Sequence, residues 1–221
     1  MKSMSENSKN VLALCSVLAF AAFASAAPAL AHHPLGGSLP TNFWHGFLSG
    51  IGHPVIGVDH LAFIIAVGVA SAFLKDRFLM PAVFIAATVA GCLLYSVGGI
   101  ELPLTEFFVA GSVLFLGVIV MSGRDFSSLT CGILFALAGL VHGTAYAGAI
   151  LGAEATPLVA YLLGFSFVQY AIILATMFVV RETWKAADRL AVQPRLAGAL
   201  IAGVGATFLI ENVEGVIFPG M

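Results

Sequence analysis

From position 54 onward the chain alternates long apolar runs with short polar joints, the runs covering residues 54–74, 78–99, 103–122, 128–150, 156–180 and 196–217. Each is long enough to cross a bilayer, which takes about 20 residues of helix. Ahead of them, Gly and Pro mark a loop over 35–41, and Thr41 is placed to cap a helix over 42–51. That helix is too short to span. Its Trp44 and His45 suit a segment that lies at the interface or re-enters the membrane. Gly52-His53-Pro54 then breaks the chain, with Pro54 in the first turn of the next helix, where its missing N–H is harmless. Residues 1–31 read as a cleaved signal peptide: Lys2 and Lys9, an apolar core over 11–23, and the small-x-small site Ala29-Leu30-Ala31. The expected fold is all-α. It is a polytopic membrane bundle of six transmembrane helices, in one domain over 32–221, with a short re-entrant or interfacial helix before the first span.

Composition agrees. The 221 residues are 60% hydrophobic and 9% charged, with a mean hydropathy of +1.05, whereas soluble domains carry about 25% charged residues. All nine basic residues are Lys2, Lys9, and then Lys75, Arg77, Arg124, Arg181, Lys185, Arg189 and Arg195, which follow the first, third and fifth runs. Positive charge stays inside, so those three loops are expected in the cytoplasm. Both mature termini then lie outside, in the periplasm of a bacterial cytoplasmic membrane. A cleaved signal requires the first of these placements, and an even number of crossings the second. The opposite loops hold Glu101, Glu154, Glu211 and Glu214 without Lys or Arg, a sign asymmetry that attracts cations. A divalent ion moving to a negative interior gains about 4.6 kcal/mol per 100 mV. No phosphate-binding loop accompanies this, and no nucleic-acid partner is expected. Cys15, Cys92 and Cys131 form no CxxC and are read as packing residues. Small residues such as Gly139, Gly143, Gly198 and Gly205 are expected to let helices approach closely.

The chemistry concentrates in His53-Pro54-Val55-Ile56-Gly57-Val58-Asp59-His60, at the mouth of the first span. Ionisable groups in hydrocarbon are costly and mark ion or substrate paths, and neutral imidazole suits nickel, copper and zinc. On a straight helix His53 and His60 stand two turns, about 10 Å, apart. Either the break folds His53 inward, or the two serve successive stations. Asp59 is a direct ligand or the carboxylate that orients an imidazole. His142, in the fourth span between Val141 and Gly143, is the expected partner. Glu106, at the outer start of the third span, is a further ligand candidate or a helix N-terminal acid. His32, His33 and His45 are candidates for collecting the ion. Gln169, Tyr170, Glu211 and Asn212 are weaker ones.

His53-Pro-x-x-Gly57-x-Asp59-His60 with Gly68 eight residues on resembles the signature of the HupE/UreJ family of nickel permeases and hydrogenase or urease accessory proteins. The stretches His33-Pro34-Leu35-Gly36-Gly37 and Phe43-Trp44-His45-Gly46-Phe47 are similar to that family too. The resemblance implies import of Ni²⁺ for metalloenzyme assembly, with His53, Asp59 and His60 essential, and maturation proteins of hydrogenase or urease as partners. Many relatives have HGxAHG in a later span. Here His142-Gly143-Thr144-Ala145 is followed by Tyr146 in place of the second histidine, which implies weaker nickel coordination or a shifted metal preference. The expectation is therefore a non-enzymatic permease with no permanent cofactor, carrying Ni²⁺, or else Co²⁺, copper or Zn²⁺. An intramembrane zinc hydrolase and a membrane metal chaperone are the alternatives.

Overall fold

The structure, a computed structural model, describes residues 38–218. The expected signal peptide with its cleavage site, and with it His32 and His33, lies outside those residues. The helices are α1 (Phe43–Ile56), α2 (Val58–Ser71), α3 (Leu79–Ser96), α4 (Thr105–Ser122), α5 (Ser128–Ala147), α6 (Ala155–Phe178, continued by a π turn over Val179–Thr183) and α7 (Val192–Ile217). There is no strand among the described residues. Helices α3 to α7 are each long and apolar enough to cross a membrane. The first span exists only as the pair α1 and α2, bent by 80°.

Two local expectations are corrected here. Asn42, not Thr41, caps α1: its side-chain oxygen accepts from the His45 amide at 2.9 Å. The Thr41 hydroxyl instead meets the His45 ring, at 3.2 Å from Nδ1. The break falls at Gly57 and not at Gly52-His53-Pro54, so Pro54 sits inside the last turn of α1. So close to a helix end, proline's missing N–H removes only one ladder bond, and the helix runs on until Gly57 donates to the His53 carbonyl at 3.0 Å. Gly57 then turns extended, at φ −69° and ψ 101°. A Cβ there would stand 2.7 Å from Cδ2 of His60. The bend thus presses bare backbone against an imidazole.

The remaining helices assemble around α2 as three pairs, each joined where a glycine of one helix meets the backbone of the other. Gly46, Gly50 and Gly164 join α1 to α6; Gly91, Gly139 and Gly143 join α3 to α5; Gly117, Gly198 and Gly205 join α4 to α7. Lipid tails are as apolar as leucine, so close backbone packing replaces the hydrophobic effect as the means of association. Larger apolar side chains turn outward, as with Leu129, Ile133 and Leu137 on α5 and Val159, Leu163 and Phe167 on α6. A helix with an apolar outer face in such a bundle is a membrane span, and the chain is a multi-pass membrane protein.

The two ends of the bundle differ in charge. At one, the three basic loops meet: Arg181 donates to the Ala72 carbonyl at 3.0 Å, Arg189 to that of Phe73 at 3.1 Å, and Arg195 to that of Met121 at 3.0 Å. Arg189 also pairs with Asp125. The other end carries Glu101, Glu106, Glu154, Glu211 and Glu214. There Phe43, Trp44 and Phe47 form an aromatic cluster at the start of α1, as suits a membrane interface.

Candidate functional site

Four helices deliver one buried polar cluster. His53 comes from the last turns of α1, Asp59 and His60 from the first turn of α2, His142 from α5 and Tyr161 from α6. All are at most 3% exposed, deep enough that each polar atom needs a partner. The bend at Gly57 removes the two-turn separation a straight helix would impose, and the His53 and His60 rings stand 5.6 Å apart between centroids. His142 reaches His60 directly, Nδ1 to Nδ1, at 2.9 Å. The two signature histidines and their predicted partner therefore converge.

The hydrogen bonds assign the protons. Tyr161 donates its hydroxyl to the Tyr146 carbonyl at 2.8 Å, so its oxygen must accept from Nδ1 of His53, 3.0 Å away. Ser112, on α4, donates to the Val109 carbonyl at 2.7 Å and so accepts from Nε2 of His142 at 2.9 Å. His142 consequently presents the Nδ1 lone pair to His60. One serine thus fixes the tautomer of the deepest imidazole, the role a second partner plays for metal-binding histidines.

The other candidates are placed as follows. Asp59 Oδ1 accepts from the backbone N–H of His60 at 2.8 Å, at the positive end of α2. Among the described residues, no three His, Cys, Asp or Glu side chains are gathered closely enough to hold one ion as they stand. The histidine pair is the tightest unit. Tyr146 fills the space beside it, with ring centroids 4.6 Å from His60 and 5.1 Å from His53. Its phenol therefore packs against both imidazoles. Glu106 is exposed in the first turn of α4. With Glu101, Glu211 and Asn212 it lines an open cavity of about 570 Å³ at the acidic end, whose wall includes Thr144, two residues beyond His142. His45 is exposed near the start of α1 and joins neither group. Tyr170 donates to the Phe78 carbonyl at 3.3 Å, toward the basic end.

Sequence reasoning did not single out Ser112 or Tyr161. Hydroxyls in apolar helices commonly bond back to their own backbone, as Thr88 and Thr144 do here, so spacing carries no signal that separates Ser112 from them. Tyr161→Phe would leave His53 and the Tyr146 carbonyl without their shared partner. Losing a buried bond of this kind costs about 1–3 kcal/mol. The expected result is a lower unfolding temperature in detergent, read by intrinsic fluorescence. An unchanged melting curve would count against the bridge.

A family model described as HupE / UreJ protein matches residues 18–208. Protein HupE of Rhizobium leguminosarum bv. viciae is 28% identical over 191 residues, which is 85% of this chain and 94% of that protein. No solved structure matches.

Proposed function

Because this chain belongs to the HupE/UreJ family, we propose that it is a permease carrying a divalent transition-metal ion, Ni²⁺ first, inward across the cytoplasmic membrane. The observation that supports this most is the His60–His142 pair. Two imidazole nitrogens, each about 2.1 Å from one ion and at right angles around it, stand about 3.0 Å apart. The pair's Nδ1 atoms are 2.9 Å apart already. An ion would take the place of the shared proton once His60 carries its own proton on Nε2, each ring turning so that its Nδ1 lone pair points at the ion. His53 adds a third imidazole across the bend, and Asp59 places negative charge beside it.

The sign of the two ends gives the direction. Basic loops mark the cytoplasmic side, and the acidic cavity then opens to the outside, where cations are collected. The Ala145–Tyr146 turn of α5 runs from that cavity to the histidines, since Ala145 and Thr144 line the one and Tyr146 packs in the other. Two histidines, one more across a bend and a flanking phenol make a moderate site, which conduction needs so that the ion can leave. The hydrolase reading uses the same histidines, but no feature of the site favours it.

Radioactive nickel uptake into proteoliposomes with an inside-negative potential tests the proposal. The protein should accumulate nickel above empty liposomes, and Asp59→Asn should lower the rate by about 10-fold or more. No accumulation by the unaltered chain would end the permease reading.

A further inference from the structure

Deep in the bundle, away from the histidines, Gln169 on α6 is fully buried, and neither its amide oxygen nor its amide nitrogen has a hydrogen-bond partner. The fully buried hydroxyl of Ser71 on α2 has none either. An amide buried without a partner loses its hydration and gains nothing in return. Methionine would fill the same volume without that cost. A polar group kept at such expense calls for a partner that arrives during the working cycle.

Helix α6 serves as a ruler for where Gln169 lies. Tyr161 is hydrogen-bonded to His53, and Phe165 packs against Tyr146 with the rings tilted and their centroids 5.3 Å apart. Gln169 follows on the same buried face, eight residues or about 12 Å beyond Tyr161. One turn further, Ile173 and Thr176 meet Gly68 of α2. Arg181 then reaches the Ala72 carbonyl next to Ser71. The two orphaned groups therefore stand in order between the histidine pair and the basic end, on helices that touch through Gly68. The apolar neighbours Phe165 and Ile173 offer the amide nothing.

We infer that Gln169 is the next station for the cation after the histidines, its amide oxygen taking over part of the ion's coordination on the way to Ser71 and the cytoplasmic end. An amide oxygen suits this step, because a neutral oxygen donor holds a borderline divalent ion more weakly than imidazole does and so lets it pass inward. The inference rests on the permease reading and adds a residue that no histidine motif includes.

The test compares the full-length protein with Gln169→Met and Gln169→Glu in nickel-uptake assays on proteoliposomes and in detergent melts. Gln169→Met should slow uptake about 10-fold or more while melting at or above the unaltered temperature, because an orphaned amide has been replaced by an apolar group of similar shape. Gln169→Glu, which keeps an oxygen donor, should transport faster than Gln169→Met. Undiminished uptake by Gln169→Met overturns the inference alone. Slower uptake together with a lower melting temperature overturns it as well, since the amide would then be structural. Absence of uptake by the unaltered chain overturns the permease reading and this inference with it.

Discussion

His142→Ala is expected to reduce nickel uptake into proteoliposomes on the order of 100-fold, and Ser112→Ala about 10-fold, with His142→Ala the more severe. The grading follows from the network. Alanine at 142 removes one of two nitrogens that stand 2.9 Å apart and leaves His60 to face the ion with His53 alone. Alanine at 112 keeps both imidazoles but releases Nε2 of His142 from the hydroxyl that accepts from it at 2.9 Å. The ring is then free to place its proton on Nδ1, the atom that must carry a lone pair. Ser112→Thr, which keeps the hydroxyl, should recover most of the rate. Equal losses for Ser112→Ala and Ser112→Thr would mean that packing on α4 matters and the proton does not. Full activity of His142→Ala would remove the pair from the transport path altogether.

Gly143→Val is expected to damage the protein more broadly. A Cβ at 143 collides with the Thr88 carbonyl oxygen and lies 2.9 Å from the Cys92 nitrogen. Both are backbone atoms that no rotamer change can move aside, so α3 and α5 must separate. Overpacking of this kind costs about 1–3 kcal/mol and sometimes more. Separation also withdraws His142, the adjacent residue, from Phe63 and Phe84, whose rings lie 4.4 and 6.2 Å from it. The expected outcome is a clear fall in melting temperature in detergent together with loss of uptake. Gly203→Val is the control. It lies on α7 with nothing within 4 Å of its Cβ position, and it should melt and transport like the unaltered chain. A Gly143→Val protein that melts normally would show that the α3–α5 approach is looser than the structure has it.

Particular residues show why some features were legible and others were not. The apolar runs ended within a few residues of the helices observed, as with 103–122 against Thr105–Ser122 and 196–217 against Val192–Ile217. Bilayer thickness sets a length that composition alone reveals. The break before α2 was misplaced by a few residues. Proline marks a break only by what it forbids, while the bend depends on the His60 ring packing against the bare backbone of Gly57, and that contact spans a turn the sequence does not announce. Glu106 lines the open cavity with Glu101 and Glu211, a placement that follows from the first turn of α4 standing at the surface and that its charge alone does not reveal.

By itself, the sequence determined that the chain crosses a membrane repeatedly as helices, that its basic loops fall on one side, and that His53, Asp59, His60 and His142 are ionisable groups in or beside its apolar runs. These follow from local physics: hydrocarbon excludes charge and unpaired backbone, so composition and spacing are enough. Only the tertiary structure decided that an 80° bend brings His53 beside His60, that His60 meets His142 across 82 positions of chain, and that Ser112 and Tyr161 set which nitrogens carry protons. Those relations depend on how α1, α2, α4, α5 and α6 pack, through contacts between glycines and backbones far apart in sequence. No periodicity along one helix encodes them.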